Sequence, residues 1–184
     1  MENKNRVCPV ERSGSLDNRL RKLVHNPEKM FRKYIREGMA VLDFGCGPGF
    51  FTRGMAEMVG DEGTVIAADL QQGMLDKLSE KIKGTHLEKR IFLHRTAKNS
   101  IRLKKKIDFA LAFYMMHEIP DQEKALKEIS SLLRPGGILY VVEPKYFHVS
   151  EEEFGETIKR AEKNGLGLVE RPGVFLSRAA VLKK

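Results

Sequence analysis

Two cysteines, Cys8 and Cys46, are all that the chain carries, too few to build a disulfide framework or a zinc site by themselves. A reducing compartment is consistent with that. No apolar run approaches the roughly 18 residues of a membrane-spanning helix, and the opening Met1-Glu-Asn-Lys-Asn-Arg6 leads into no apolar signal core. The expectation is a cytoplasmic protein. Internal repeats, low-complexity tracts and a convincing metal cluster are missing as well, so neither a solenoid nor a metal-dependent chemistry is expected.

What is there is the composition of a globular chain: 184 residues, 41% hydrophobic and 32% charged, enough for one domain with a three-layer core. The net charge of +8 gathers in two places. One runs from Arg19 to Arg36; the other, from Lys81 to Lys106, includes Lys89, Arg90, Arg95, Lys98, Arg102 and Lys104-Lys-Lys106. Solvated faces and an RNA-contacting patch both account for it, although the aromatic interleaving of single-strand binders is lacking.

The chain is organised around Val41-Leu-Asp-Phe-Gly-Cys-Gly-Pro-Gly-Phe50. Aliphatic residues run into an acid, and glycines follow at alternate positions, 45, 47 and 49, before a helical stretch. That is a strand, a tight turn and a helix start, with a turn whose backbone can touch a ligand. A dinucleotide fingerprint needs its third glycine where Phe50 stands. Asp43, at the strand end, would repel a pyrophosphate and welcome a charged amino group. Asp69 closes the next strand, Thr64 to Leu70, where a carboxylate can accept both hydroxyls of a ribose. An unphosphorylated nucleoside with a charged amino-acid tail suits both acids.

With these residues the sequence resembles the class I S-adenosylmethionine-dependent methyltransferases. Val41 to Phe50 is similar to their first motif, Ala68-Asp69-Leu70 to their second-strand acid, Ile107 to Phe113 to their fourth strand, and Leu132 to Val142 to the turn into strand five. The resemblance runs over about residues 28 to 182. It implies a Rossmann-like α/β three-layer sandwich whose seven-stranded, mostly parallel sheet has the order 3-2-1-4-5-7-6 and an antiparallel last strand. It also implies a methyltransferase domain over residues 28–184, preceded by residues 1–27 as an arm and helix expected to be either a lid over the site or a loosely docked tail. The implied cofactor is S-adenosylmethionine, held by Asp43, Phe44, Gly45, Gly47, Gly49, Asp69, Leu70, Met74, Thr96, Ala97 and Phe113. The family carries an acid after strand three, where this chain has Arg95-Thr-Ala97; Thr96 can accept one hydrogen bond there but has no charge.

Methyl transfer from a sulfonium asks the protein chiefly to orient two reactants and exclude water. A base is needed only if the acceptor must lose a proton. His117, in Tyr114-Met-Met-His117-Glu118 beyond the fourth strand, is the candidate, with a role in shaping the pocket as the alternative. Neither the Asp/Asn-Pro-Pro-Tyr tetrapeptide of exocyclic-amine methylases nor the Pro-Cys nucleophile of cytosine-ring methylation is present. The leading reading is an enzyme that methylates a small-molecule acceptor; the others are an RNA or protein methyltransferase using the basic face, and a cofactor-binding module without catalysis.

Overall fold

The computed structural model describes residues 24–145 and 149–184. The N-terminal arm up to residue 23, including most of the helix expected from Leu16 and also Cys8, lies outside the described residues. The chain divides into two compact units between Thr96 and Ala97.

The first unit holds α1 (Pro27–Phe31), β1 (Ala40–Phe44), α2 (Phe50–Val59), β2 (Thr64–Asp69), α3 (Gln72–Ile82) and β3 (Ile91–Arg95). The Asn26 side chain accepts the Lys29 N–H at 3.2 Å and Pro27 occupies the first turn of α1, where its missing donor costs nothing. Helical spacing predicts a helix through Ile35, but the regular part stops at Phe31. The N–H groups of Tyr34 and Ile35 both turn back to the Phe31 carbonyl, at 2.8 and 2.9 Å, a tight closing turn that still buries Ile35.

β1 is buried along its whole length and β2 in all but its first residue, the pattern of parallel strands covered on both faces. They pair in parallel from Ala40 opposite Thr64 to Phe44 opposite Ala68, and β2 pairs with β3 from Val65 opposite Ile91 to Asp69 opposite Arg95. This register brings Asp43 and Asp69 to the carboxyl ends of neighbouring strands. α2 buries Phe51, Thr52, Met55, Ala56 and Val59, one stripe at helical spacing, and the Phe51 ring meets Phe31 edge-on at 5.6 Å.

The second unit holds β4 (Ile107–Phe113), a short 3-10 turn (Met116–Glu118), α4 (Gln122–Leu132), β5 (Leu133–Pro144), α5 (Glu151–Lys163), β6 (Gly167–Glu170) and β7 (Ser177–Lys183). Asp121 caps α4 through the Lys124 N–H, as expected, and Ser150 with Glu153 forms a reciprocal capping box on α5. β4 and β5 are parallel, with Phe113 opposite Val142; β7 is antiparallel to both β5 and β6. The full strand order is β3-β2-β1-β4-β5-β7-β6, the expected one, with the expected antiparallel last strand.

The hairpin signal at Arg171-Pro-Gly173 predicts a strand from Val174, but strand seven starts at Ser177. Leu176 just before it has φ +49, left-handed backbone that cannot belong to a strand, and the Ser177 hydroxyl turns back to the Phe175 carbonyl at 2.8 Å. At the other end of β7, Lys184 Nζ donates to the carbonyls of Ser130 and Leu133, at 2.5 and 2.9 Å, closing the carboxyl end of α4 with a cation where its dipole favours one. Among the described residues no helix is long and apolar enough to cross a membrane.

Candidate functional site

In the first unit the site is the turn between β1 and α2. Gly45, Gly47 and Gly49 all have positive φ, at 75°, 53° and 86°, so alternate residues take a conformation that side chains resist. Their reasons differ. Gly45 and Gly47 are partly exposed and Gly49 is buried; a Cβ on Gly49 would sit 2.2 Å from Leu78 Cδ1. The third glycine thus lets α3 pack against the turn. The turn is pinned from below, since the N–H groups of Gly45 and Cys46 both reach the Ala68 carbonyl, at 2.8 and 3.1 Å, and Lys81 Nζ holds the Pro48 carbonyl at 3.0 Å.

Asp69 ties this turn to β2. One carboxylate oxygen accepts the Gly47 N–H and the other the Gln71 N–H, both at 2.9 Å. Burial nevertheless pushes its carboxyl above the usual range, against the pull of the Gln71, Gly47 and Leu70 N–H groups. A carboxylate offers about four lone-pair sites, so Asp69 keeps capacity for a ligand hydroxyl beside the backbone donors that aim it. Asp43 is 2% exposed and accepts the Thr52 hydroxyl at 2.5 Å, a bond from the first turn of α2 back to the strand that precedes it. Between the acids, burial first and then Asp43 and Asp69 push the Cys46 thiol well above its ordinary pKa, which keeps it neutral.

The remaining expected cofactor residues of this unit are close by in the chain. Phe44 is buried, Leu70 is half-buried, and Met74 is 2% exposed on the inner side of α3. Thr96 is buried, with its N–H on the Asp69 carbonyl at 2.9 Å. Ala97 opens the second unit and pairs with Ser100 in an isolated bridge.

In the second unit the candidate side chains gather at the carboxyl end of β4. Phe113 is 7% exposed and its ring lies 4.4 Å from that of Tyr114. Tyr114 has φ +56, a strained angle for a bulky residue, fixed by its N–H on the Val142 carbonyl at 2.8 Å and its hydroxyl on Ser177 Oγ at 2.5 Å. Three residues on, the Nδ1 of His117 donates to Glu143 Oε2. The other oxygen of Glu143 accepts the Met116 N–H at 2.8 Å. Burial pulls the His117 pKa down, but the hydrogen bond and charge of Glu143, with Glu118 and Glu153 adding, outweigh it, and the net shift is upward. Gln122 holds the same turn, donating to the Met116 carbonyl at 2.9 Å and accepting from Thr157 at 3.0 Å.

Glu143, Ser177 and Gln122 are not among the sequence-predicted site residues. One signal was present: Glu143 ends the otherwise apolar Leu139-Tyr-Val-Val-Glu143, and an acid at the tip of a buried strand needs a partner. The basic clusters are less uniform than their sequence suggests. Arg90 reaches Asp61 through two nitrogens and also the Ala56 carbonyl, and Lys106 caps the Ser131 carbonyl at 2.6 Å, while Lys98, Arg102, Lys104 and Lys105 are exposed. Among the described residues no group of three or more His, Cys, Asp or Glu side chains is placed to hold a metal ion.

Residues 41–137, more than half of the chain, match the family described as "Methyltransferase domain". A demethylmenaquinone methyltransferase of Lactobacillus johnsonii is 34% identical over 118 residues, which are 63% of this chain and 48% of that protein. A ubiquinone/menaquinone biosynthesis C-methyltransferase of Haemophilus ducreyi is 29% identical over 110 residues, 59% of this chain and 42% of that protein. The chain spans about half the length of the curated relatives it matches. The crystal structure of a SAM-dependent methyltransferase from Aquifex aeolicus superposes with a TM-score of 0.86 at 25% identity, over 96% of this chain and 99% of that one. By family match and strand order together, the chain belongs to the methyltransferase-domain family, among the class I S-adenosylmethionine-dependent methyltransferases.

Proposed function

We propose that this chain is an enzyme that methylates a small hydroxy-aromatic acceptor of the quinol kind, with S-adenosylmethionine as methyl donor. The names of the relatives supply the acceptor class. The observation that carries the reading is the bond between His117 and Glu143 at the carboxyl end of β4, the end at which open α/β sheets place their ligands.

The residues of the glycine turn fit the donor. The partly exposed backbone of Gly45 and Gly47 allows close approach, and the buried Asp69 carboxylate has room for a ribose hydroxyl beside its backbone donors. Asp43, Phe44, Leu70, Met74, Thr96, Ala97 and Phe113 belong to the same proposal as neighbours of the donor, and Gly49 as the residue that lets the turn close on α3. When bound, S-adenosylmethionine supplies a methyl group on a sulfonium, which becomes a neutral thioether as the methyl group leaves.

The acceptor must give up a proton for each methyl group it gains at a hydroxyl or ring carbon. Glu143 fixes the neutral imidazole with its hydrogen on Nδ1, so that Nε2 is the basic nitrogen that would take that proton. The resulting imidazolium is stabilised by the carboxylate behind it. A pocket-shaping role alone does not call for a buried carboxylate on the imidazole, and a binding module has no use for a base. Location in the cytoplasm and the division into an arm, 1–27, and a domain, 28–184, are part of this proposal.

Calorimetric titration with S-adenosylmethionine and with its demethylated product tests the donor half. Both should bind, and Asp69→Ala should weaken binding by roughly 1.5 to 3 kcal/mol, the scale of a lost charge-assisted hydrogen bond. Unchanged affinity would remove Asp69 from the site.

A further inference from the structure

Gln122 is the first residue of α4, directly after the Asp121 cap, and its side-chain amide has one possible orientation. The two ends of an amide are alike in shape, so their partners decide which is oxygen and which is nitrogen. Arg160 Nη1 lies 3.2 Å from one end and can only donate, so that end is Oε1. The Met116 carbonyl lies 2.9 Å from the other and can only accept, so that end is Nε2. Thr157, like Arg160 a residue of α5, brings a second donor to the oxygen at 3.0 Å.

The bond to Met116 completes a grip on the turn from two sides. Met116 is fully buried. Its N–H goes to Glu143 Oε1 at 2.8 Å, and its carbonyl accepts Gln122 Nε2 and the Ile119 N–H, at 2.9 and 3.1 Å, which occupies both lone pairs. Glu143 belongs to β5 and Gln122 to α4, so two different elements anchor the peptide groups on either side of Met116. The carbonyl that Gln122 holds is part of the peptide bond to His117, whose Nδ1 donates to Glu143. A 3-10 turn of three residues has too few internal bonds to hold a geometry by itself, and a hydrogen bond weakens steeply as its angle drifts.

We propose that Gln122 is a positioning residue for His117: by holding the Met116–His117 peptide from α4, it keeps the imidazole in line with Glu143. The inference rests on the role proposed above for His117 and adds its support on the helix side. Arg160 and Thr157 orient the amide, the amide holds the turn, and the turn places the ring. A side chain that served only the contact between α4 and α5 would need the acceptor end alone; the donor end is the part that acts on the site.

The test is NMR of the His117 ring nitrogens across a pH titration of the whole chain, with neither donor nor acceptor added. In wild type the neutral ring should carry its hydrogen on Nδ1 and titrate above 6.5. Burial opposes that rise and Glu143, Glu118 and Glu153 supply it, so a ring that drifts from Glu143 loses its hydrogen-bonded partner and keeps the burial. Gln122→Met, of similar length and without polar ends, should lower the titration midpoint by about 0.5 or more and mix the Nδ1–H and Nε2–H forms of the neutral ring. Gln122→Glu keeps acceptors for Arg160 and Thr157 but turns an oxygen toward the Met116 carbonyl. It should unfold in denaturant near the wild-type midpoint and still mix the two forms, a result that a role in stability alone does not give. A neutral ring that keeps its hydrogen on Nδ1 in both variants as in wild type would overturn the proposal. A wild-type ring with its hydrogen on Nε2 would overturn the role of Glu143 beneath it, and this proposal with it.

Discussion

Glu143 grips the turn after β4 with both carboxylate oxygens, one on His117 Nδ1 and one on the Met116 N–H. The two residues are 26 positions apart in the chain, and the parallel pairing of β4 with β5, Phe113 opposite Val142, is what makes them neighbours. A carboxylate so placed sets which imidazole nitrogen carries the hydrogen and how readily the ring takes a proton.

The sign of the pH dependence follows. Only neutral His117 can accept a proton, and Glu143 raises its pKa above the ordinary value of 6.5. The rate should therefore climb with pH along a limb centred above 6.5. Glu143→Gln keeps an acceptor for Nδ1 but removes the charge, leaving burial opposed only by the weaker pull of Glu118 and Glu153, so the limb should move to lower pH. His117→Ala should slow turnover by about 10² or more, the usual worth of a general base, with affinity for S-adenosylmethionine near that of wild type. Steady-state profiles of kcat/KM against pH check this; a limb that stays in place in Glu143→Gln would remove Glu143 from the mechanism.

Gly49→Ala should destabilise the fold by about 2 kcal/mol, through overpacking and a strained φ. Leu78 is fully buried, so its Cδ1 has little room to move aside from the new methyl group. Denaturant unfolding in a double-mutant cycle separates the two causes, because part of the cost should vanish in a Leu78→Ala background. The same cost in both backgrounds would show that Leu78 is not the obstacle.

Cys46 should resist alkylation although it sits in the ligand turn. Its thiol is buried and held neutral by Asp43 and Asp69, so iodoacetamide finds no thiolate. Peptide mass spectrometry of the native protein should recover Cys46 unmodified, and modified after unfolding. Rapid native modification would mean that the turn opens or that the acids are protonated.

The glycine turn, both strand-end acids and the order of the strands could be read from the sequence because each rests on a local pattern. Positive φ at alternate positions calls for glycine, buried parallel strands call for apolar runs, and the resemblance orders the elements. The partners of the strand-four tip were out of reach for the opposite reason. His117 finds Glu143 through the β4–β5 register, and Tyr114 finds Ser177 across 63 residues, with Ser177 set opposite Pro144 in the antiparallel pairing of β5 and β7. Gly49 shows a subtler limit, since the spacing demanded a glycine there but could not tell that α3 fills the space.

The most direct test of the central claim is transfer of a labelled methyl group from S-adenosylmethionine by the purified chain to reduced demethylmenaquinone. The account predicts label in the quinol, lost in His117→Ala while the donor still binds. Donor binding without any label in the quinol, or label that enters only added RNA, would contradict it.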